Sequence, residues 1–398
     1  MRLAKRIGLV KPSATLAVTA EVARLRATGV EVVDFGAGEP DFDTPQRIKD
    51  AALRALAEGA TKYTPVAGTA AIRAAIVAKL ARVNGLQYSP DETIATCGGK
   101  HALFNAFQAL FEDGDEVLLP APFWVSYADM LVLAGAKPVL LPSTAETGFK
   151  ISAAELKAAI GPRTRGFLLN SPSNPTGAAY SKDELAALAD VLAAAPDVAA
   201  IVDDVYEMLY FDGERPPHLL QLRPELRPRT VIVNSVSKTY AMTGWRLGYA
   251  AAPAPVVRAM ATIQGQSTSN PAAVSQAAAV EALAGPQDEI APMVEEFRWR
   301  RDYVMERFAR LPGVTCARPN GAFYAFPDVS GLFERSWRGE PLASAGRVCE
   351  FLLAEARVAL VAGDDFAAPK HLRLSYATSR ANLRNGFDAI DAAIARLG

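Results

Sequence analysis

The first candidate for chemistry is Lys238, which stands in the stretch SVSKTYAMTGWRLGY between small hydroxyl residues and eight positions before Arg246. A lysine that leaves an apolar strand is partly desolvated, which lowers its pKa and leaves a neutral amine able to form a Schiff base with an aldehyde. Ser235 and Ser237 offer hydroxyl groups and Arg246 offers a planar fork of donors, which together suit a phosphate monoester. Taken singly, each residue is also compatible with a structural role such as a buried ion pair.

A glycine pair with a lysine, Gly98-Gly99-Lys100, follows the apolar run ETIATC and precedes a helical pattern. Such a turn aims backbone N–H groups and a helix N-terminus at a phosphate. The G-x-x-x-x-G-K-[ST] spacing of a P-loop is missing, so these residues do not indicate that kind of nucleotide site. An ordinary strand-to-helix turn is the alternative interpretation.

Two further polar stretches also follow apolar runs. Asn174 lies in SPSNPTG, where two prolines stiffen the backbone and Gly177 permits a tight turn. The Asn174 amide could donate to a ligand oxygen there, or the stretch could be a surface turn. Asp203 and Asp204 end the run VAAIV, two residues before Tyr206. A carboxylate at the end of a buried strand needs a partner, and the options are a cationic ring nitrogen, a helix cap or salt bridge, and Mg²⁺.

The elements that must position these residues are short strands. The apolar runs ETIATC, DEVLLP, KPVLLP, TRGFLLN, VAAIVDD and TVIVNSVS predict strands, and helical patterns such as KHALFNAFQALFE and SKDELAALADVLAAA lie between most of them. The second of these helices begins with a predicted capping box, Ser181 and Glu184. The alternation predicts an α/β fold with a mainly parallel sheet. Since ligands bind beyond the carboxyl ends of strands in such sheets, we expect the polar residues at one site.

Together the residues fit one ligand with four features: an aldehyde for Lys238, a ring nitrogen for Asp203, a phosphate and a phenolic oxygen. The candidate phosphate donors are Gly99, Ser235, Ser237 and Arg246, and the candidate donors to the phenolic oxygen are Asn174 and Tyr206. Pyridoxal 5′-phosphate has all four features, and its protonated ring is an electron sink for carbanion chemistry.

At 398 residues the chain is long enough for more than one hydrophobic core. We predict a large cofactor-binding domain over residues 45–285. A smaller domain is expected from the N-terminal segment, residues 1–44, together with residues 286–398. The long charged helix PMVEEFRWRRDYVMERFARL in the last part is expected to turn its arginines to solvent. GAFYAF and HLRLSYA are expected to be short strands.

Composition excludes several other classes of protein. The net charge of −1 offers no basic surface for nucleic acid. The N-terminal stretch lacks the apolar run of a signal peptide or membrane span, so a cytoplasmic location is expected. Cys97, Cys316 and Cys349 lie far apart, which argues against a disulfide framework and favours inert buried thiols. The histidines are equally scattered, so no metal site is expected.

The chain resembles the fold-type I pyridoxal-phosphate enzymes, among them the class I and II aminotransferases, and within those the bacterial aspartate aminotransferase subgroup. The matching motifs are KPSAT, GEPDFDTP, TKYTPVAG, GGKHALFNAF, NSPSNPTG, DDVYE, SVSKTYAMTGWRLGY and HLRLSYATS, which together span nearly the whole chain. The resemblance implies a mainly parallel seven-stranded sheet in a large domain, a smaller α/β domain from both termini, and pyridoxal 5′-phosphate as cofactor.

The resemblance also implies a role toward the cofactor for each motif residue. Lys238 matches the lysine that forms the internal aldimine and then moves the proton between the substrate Cα and the cofactor. Asp203 matches the partner of the pyridine nitrogen, and Trp124 matches the aromatic residue that stacks on the ring. The residues that match donors to the ring hydroxyl are Asn174 and Tyr206, and those that match the phosphate cup are Gly99, Lys100, Ser235, Ser237 and Arg246.

One matching residue implies a partner chain. Tyr63, in TKYTPVAG, matches a tyrosine that reaches the phosphate of the neighbouring subunit. A homodimer with shared active sites is therefore implied. Toward the substrate, Arg373 matches the arginine that grips the α-carboxylate, and Gly38 lies in the segment that closes over the substrate. Trp124 and Asn174 are expected to border the substrate as well as the cofactor.

A dicarboxylate substrate needs a second cation besides Arg373. The resemblance gives this role to Lys100, with help from Lys11, Ser13 and Thr15 of the KPSAT motif. The implied reaction is transamination of L-aspartate with 2-oxoglutarate, giving oxaloacetate and L-glutamate. It follows ping-pong kinetics through aldimine and pyridoxamine forms.

Other activities share this fold and this lysine, so the reaction type depends on the substrate-side residues. A prephenate or aromatic aminotransferase is the first alternative, for which Lys11 is the residue of interest. A C–S lyase is a further alternative, and the presence of both Arg373 and Lys100 favours transamination over it. An aminotransferase-like transcription regulator would need a basic DNA-binding extension before KPSAT, and the sequence does not contain one.

Overall fold

The computed structural model of the protein describes residues 1–12 and 14–397. Ser13, one of the residues predicted to help bind the substrate, lies outside the described residues. Within the described part, no helix is both long and apolar enough to cross a membrane.

The regular elements alternate between helix and strand through most of the chain. The helices are α1 Ala14–Ala27, α2 Gln46–Ala57, α3 Ala70–Asn84, α4 Gly99–Leu110, α5 Ser126–Leu133, α6 Ala153–Ala159, α7 Lys182–Ala193, α8 Leu219–Leu222, α9 Ala254–Gly265, α10 Ala273–Ala284, α11 Ile290–Phe308, α12 Ala345–Glu355 and α13 Arg380–Ile394. The strands are β1 Val33–Asp34, β2 Thr93–Thr96, β3 Glu116–Ala121, β4 Lys137–Pro142, β5 Thr164–Asn170, β6 Ala199–Asp203, β7 Thr230–Ser235, β8 Gly248–Ala251, β9 Tyr324–Ala325, β10 Ser336–Trp337, β11 Glu340–Pro341, β12 Val358–Ala359, β13 Val361–Ala362 and β14 Leu372–Ser375.

The central element is a sheet of seven strands in the described chain, in the order β2-β8-β7-β6-β5-β3-β4. All neighbouring pairs are parallel except those of β8, which is antiparallel to both β2 and β7. The mainly parallel α/β sheet and its six predicted strands are thus confirmed. The seventh strand, β8, follows the SVSKTYAMTGWRLGY loop and was not among the predicted runs.

Burial explains why the central strands read as continuous apolar runs. Every residue of β7 is buried. Val231 and Val233 pack in a cluster with Leu103 and Phe107 of α4, while Ile232 between them packs in the cluster on the other face of the sheet. Successive strand residues point to opposite faces, so a strand covered by helices on both sides is apolar at consecutive positions, as at 231–233 of β7.

The register brings the predicted polar residues together. Asn170 at the end of β5 pairs with Asp203 at the end of β6, and Asp203 pairs with Val233, two residues before the end of β7. The carboxyl ends of these three parallel strands therefore meet at one edge of the sheet. Ser181 accepts from the Glu184 backbone N–H and Glu184 accepts from the Ser181 N–H, which confirms the capping box that begins α7.

A separate hydrophobic cluster forms around α11, α12, α13 and the small sheet β13-β14-β9. It includes Phe35 from the N-terminal part of the chain and Tyr206, Leu209 and Phe211 from the stretch after β6. The parallel pair β1 and β12 also joins the N-terminal segment to the C-terminal part. The domain boundaries after residues 44 and 285 stay a prediction.

The prediction that the arginines of α11 face solvent is wrong for two of them. Arg300 and Arg301 are 5% and 2% exposed. Arg300 donates to Asp41 Oδ1 at 2.6 Å and to Glu296, and Arg301 donates to Asp212 Oδ1 at 2.6 Å. Carboxylates from distant parts of the chain make this burial tolerable, and a helical pattern by itself does not reveal those partners.

Burial also bears on the cysteines predicted to be inert. Cys316 and Cys349 have their thiol pKa raised to about 12, in both cases mainly by burial. All three cysteines are free, and all three are half-buried. Thiols with so high a pKa are almost entirely protonated at neutral pH and are poor nucleophiles.

Candidate active site

A cleft of about 570 Å³ lies at the carboxyl edge of the central sheet. Most of the predicted site residues line it, namely Thr15, Gly38, Gly99, Lys100, Trp124, Asn174, Asp203, Tyr206, Ser235, Ser237, Lys238, Arg246 and Arg373. The structure therefore gathers residues that are spread over more than 350 positions of the sequence.

Two predicted site residues do not line this cleft. Tyr63 is 91% exposed at the surface of the chain, and Lys11 is exposed as well. The role predicted for Tyr63 was toward a neighbouring subunit, so its position in a single chain neither contradicts nor supports that role. Lys11 was predicted to help Lys100 bind the substrate, and in this structure it lies outside the cleft.

Lys238 is in the turn that follows β7, and its ammonium group donates to the Gly38 carbonyl oxygen. Burial lowers the pKa of Lys238 to about 8, and the positive charges of Arg373 and Arg246 act in the same direction. The carboxylate of Glu39 opposes this shift. A substantial fraction of the amine is therefore neutral near physiological pH, as a nucleophilic or basic lysine requires.

Asp203 is a buried carboxylate, and the described residues place no cationic group in a salt bridge with it. Burial raises its pKa to about 6, although hydrogen bonds from the Tyr127 hydroxyl to Oδ2 at 2.6 Å and from the Val205 N–H to Oδ1 at 3.2 Å oppose the rise. A cation that binds next to Asp203 would stabilise the ionised carboxylate and so compensate for its desolvation. The carboxylate is therefore suited to receive a protonated ring nitrogen.

Tyr127 is a site residue that the sequence reasoning missed. It lies three residues after Trp124, and the two rings pack edge to face with centroids 5.2 Å apart. Because Trp124 was already predicted to belong to the site, an aromatic residue three positions later could have been predicted to lie near it. What the sequence did not show was that the hydroxyl reaches Asp203 on a different strand.

Arg373 is fixed on β14 and is only 1% exposed. It donates from Nη1 to Asn174 Oδ1 at 3.1 Å and from Nη2 to the Gly36 carbonyl at 2.8 Å. The guanidinium also lies 4.7 Å from the centroid of the Tyr324 ring. Its Nε has no hydrogen-bond partner among the described residues, which leaves one buried donor at the cleft for a carboxylate.

Tyr206 and Tyr324 share a hydrogen bond of 2.8 Å between their hydroxyl groups. Burial raises the pKa of both phenols, so both stay protonated at neutral pH. Tyr324, in GAFYAF, was predicted to belong to a strand and was not predicted to belong to the site. Its position on β9, next to β14, brings it to the cleft beside Arg373.

The part of the cleft at the N-terminus of α4 is suited to an anion. α4 begins at Gly99, and no side chain caps its N-terminus, because the N-cap residue is Gly98 at a φ of +91°. A Cβ atom on Gly98 would lie 2.6 Å from Arg246 Nη2. The glycine thus permits the close approach of the arginine to the helix N-terminus, where backbone N–H groups and the helix dipole favour negative charge.

Lys100, the second residue of α4, extends over the Trp124 ring with Nζ 4.9 Å from the centroid. Burial lowers its pKa, and Arg246 adds to this effect by charge repulsion. A carboxylate or phosphate bound between Lys100 and Arg246 would offset the repulsion between the two cations.

Comparison with known proteins decides the family. The family model described as aminotransferase class I and II matches residues 30–390. The chain belongs to this family. It is 45% identical to an aspartate aminotransferase of Geobacillus stearothermophilus, over 100% of this chain and 98% of the relative. It is 48% identical to an aspartate/prephenate aminotransferase of Cereibacter sphaeroides, over 99% of each.

A solved structure supports the same assignment. An aspartate aminotransferase from Thermus thermophilus, determined with maleate, superposes on this chain with a TM-score of 0.91 at 44% identity. The match covers 99% of this chain and 100% of the other. The fold-type I α/β architecture and the aminotransferase activity that the motifs implied are confirmed.

The cofactor of this aminotransferase is pyridoxal 5′-phosphate. The residues of the cleft fit it. Asp203 is a buried acid in need of a cation, and the uncapped N-terminus of α4 with Arg246 suits a phosphate. Lys238 has a partly neutral amine, as an aldehyde group requires.

Proposed function

We propose that this aminotransferase transfers the amino group of L-aspartate to 2-oxoglutarate, giving oxaloacetate and L-glutamate. The observation that carries the proposal is that Arg373 and Lys100 line the same cleft as Lys238. Two fixed cations suit the two carboxylates of aspartate and glutamate. The names of the relatives given above include aspartate as a substrate. The solved structure of the Thermus thermophilus aspartate aminotransferase was determined with maleate, a dicarboxylate.

Pyridoxal 5′-phosphate would be held by residues from several strand ends. Asp203 would bind the ring nitrogen, Asn174 and Tyr206 the phenolic oxygen, and Trp124 one face of the ring. The phosphate would be held by the backbone of Gly99 and Lys100 and by the side chains of Ser235, Ser237 and Arg246. When bound, the cofactor supplies an aldehyde for amines and a protonated ring that accepts the electron pair of a carbanion.

Lys238 would carry the proton transfer. Burial lowers the pKa of Lys238 to about 8, so part of the amine is neutral at neutral pH. This neutral Nζ would take the proton from the substrate Cα and pass it to the cofactor. The Gly38 carbonyl accepts from Nζ and so fixes the direction of the amine. Gly38 lines the cleft, and its segment would cover the substrate and help to exclude water.

The substrate carboxylates would bind at two places. Arg373 would hold the α-carboxylate through its unpartnered Nε, with Asn174 keeping the guanidinium in place. Lys100 would hold the distal carboxylate together with Thr15 at the start of α1. Ser13, proposed for the same role, lies outside the described residues.

A homodimer with shared active sites is part of the proposal. Tyr63 is 91% exposed, so it is accessible to a neighbouring subunit. Apolar side chains of the N-terminal stretch are also exposed, namely Met1, Leu3, Ile7 and Leu9. Burial of such side chains against a second copy of the chain would be favourable. A cytoplasmic location stays a prediction of the sequence.

Prephenate is a second candidate substrate, because the relative from Cereibacter sphaeroides is named for both activities. Lys11, the residue of interest for this activity, lies outside the cleft in the present structure. For prephenate, Lys11 would therefore have to move with the N-terminal segment. A C–S lyase stays the less favoured alternative.

The test measures kcat/KM for the amino donors aspartate, glutamate and phenylalanine with one set of oxo-acid acceptors, and for the oxo acids 2-oxoglutarate and prephenate with one amino donor. We expect parallel lines in double-reciprocal plots, as ping-pong kinetics require, and the highest kcat/KM for aspartate. A higher kcat/KM for phenylalanine would replace aspartate as the amino donor, and a higher kcat/KM for prephenate would replace 2-oxoglutarate as the acceptor. Release of pyruvate and ammonia from an amino acid that carries sulfur on Cβ, without an acceptor, would indicate a C–S lyase.

A further inference from the structure

A buried ionic cluster has the Glu207 carboxylate at its centre. Glu207 is the last residue of the DDVYE motif, and the proposed function assigns it no role. Its carboxylate accepts from Lys79 Nζ, from Arg215 Nη1 at 2.9 Å, and from the amides of Asn84 and Asn234 at 2.7 Å each. Although burial raises the pKa of Glu207, the charges of Lys79 and Arg215 hold it below its ordinary value.

Asn234 connects this cluster to the loop that carries the phosphate donors. Its Nδ2 donates to Glu207, and its Oδ1 accepts from the Ser235 N–H at 2.7 Å. The Ser235 hydroxyl oxygen in turn accepts from the Ser237 N–H at 3.2 Å. A continuous chain of hydrogen bonds therefore runs from the buried carboxylate to both serines.

The sheet register explains why the Ser235 N–H needs this bond. β6 ends at Asp203, which pairs with Val233, so Ser235 lies beyond the last register partner on that side. The Ser235 backbone is buried, and an unpaired N–H there would be costly. The Asn234 side chain supplies the acceptor that the strand no longer provides.

Asn84 offers a matched comparison within the same cluster. It is buried like Asn234, and its Nδ2 donates to the other oxygen of the same carboxylate, also at 2.7 Å. Its Oδ1 accepts from Lys79 Nζ at 2.9 Å. It has no hydrogen bond to the 234–238 loop among the described residues.

We propose that Asn234, anchored by Glu207, is a positioning residue that sets the Ser235 and Ser237 donors for the cofactor phosphate. The inference rests on the proposed function, because it requires pyridoxal 5′-phosphate to be held by these serines. Loss of the Asn234 side chain removes the acceptor of the Ser235 N–H and one donor to Glu207. The loop must then shift to satisfy the buried N–H, and the hydroxyl groups leave the positions that bind phosphate.

The test compares two ligands that differ only in the phosphate. The full-length protein is stripped of cofactor and titrated with pyridoxal 5′-phosphate and with pyridoxal, for the wild type and for Asn234→Ala and Asn84→Ala. For Asn234→Ala we expect affinity for the phosphate form to fall about tenfold or more, and affinity for pyridoxal to change less than about threefold. For Asn84→Ala we expect the ratio of the two affinities to stay at the wild-type value.

The outcomes distinguish a failure of the proposed function from a failure of the positioning role of Asn234. A wild-type protein that does not prefer pyridoxal 5′-phosphate over pyridoxal would contradict the proposed function itself. An equal loss for both ligands in Asn234→Ala, or the same loss of phosphate preference in Asn84→Ala, would overturn the positioning role alone. If Asn234→Ala is not recovered folded, Asn234→Ser is measured in the same way, with the same expected direction and the same criterion.

Discussion

The two ends of the cleft are built in different ways. At the cofactor end, Asp203 ends β6, Ser235 ends β7 and Lys238 lies in the turn after β7, so neighbouring strands of one sheet position all three. At the substrate end, Arg373 comes from the small sheet, and Gly38 comes from a segment near the N-terminus. These two are joined to the rest by a few hydrogen bonds, such as those from Arg373 to Asn174 and Gly36.

This difference predicts different consequences of substitution. A change at the cofactor end should affect chemistry or cofactor binding whatever the substrate. A change at the substrate end should alter substrate affinity and leave cofactor binding intact.

Replacement of Lys238 by alanine should lower kcat about 10⁴-fold, because it removes the amine that takes the proton from the substrate. Single-turnover absorbance with aspartate measures the effect. Lys137→Ala, at an exposed lysine on β4, is the control and should keep wild-type activity. Turnover of aspartate by Lys238→Ala at the parent rate would end the assignment of the catalytic lysine.

Replacement of Arg373 by lysine should lower kcat/KM for aspartate about 10²-fold. Lysine keeps the charge and loses the planar fork that holds Asn174, Gly36 and a carboxylate at once. Steady-state kinetics measure the effect on kcat/KM, and a cofactor titration measures the effect on the affinity for pyridoxal 5′-phosphate. If the affinity for pyridoxal 5′-phosphate fell as much as kcat/KM, the two ends would not be independent.

Replacement of Asp203 by asparagine should raise the stability of the cofactor-free protein relative to the wild type by about 3 kcal/mol as pH rises from about 4 to 6, although it should weaken cofactor binding. The Asp203 pKa is raised in the folded state to about 6, so the folded protein binds more protons than the unfolded chain between about pH 4 and 6. The stability of the wild type therefore falls as pH rises through this window, and that of the variant does not.

Denaturant unfolding of the cofactor-free proteins at several pH values, at one protein concentration, measures this difference. Asp197→Asn, at an exposed aspartate before β6, is the matched control and should follow the wild type at every pH. A constant difference between Asp203→Asn and the wild type from pH 4 to 7 would show that the desolvated carboxylate is not its source.

Replacement of Glu39 by glutamine should give the smallest effect, a shift of the Lys238 titration to lower pH. Burial lowers the Lys238 pKa to about 8, and the Glu39 charge opposes that shift. The rate of cofactor capture by the stripped protein should rise with pH as the amine loses its proton, with a midpoint near 8 in the wild type and lower in the variant.

The absorbance of the yellow complex after mixing measures this midpoint. Thr243→Val separates charge from structure, because it removes the hydrogen bond from Thr243 to Glu39 and keeps the charge. We expect its midpoint to match the wild type. A midpoint in Glu39→Gln equal to or above that of the wild type would mean that the N-terminal segment does not influence the cofactor end.

The cofactor end was largely predictable from the sequence. Each polar motif directly follows an apolar run, and the rule that parallel strands bring their carboxyl ends together places Asp203, Ser235 and Lys238 at one site. Six of the seven strands of the large sheet were predicted for the same reason. β8 was missed because a four-residue strand in a glycine-containing stretch has too short a pattern to recognise.

The sequence by itself determined which side chains are available, which strands carry them and how α7 is capped, because these depend on neighbours along the chain. Only the tertiary structure decided that Tyr127 donates to Asp203, that Tyr324 borders Arg373, and that Arg300 and Arg301 are buried. Each of these depends on partners tens to hundreds of positions away. Local periodicity carries no information about such partners, because packing between distant elements chooses them.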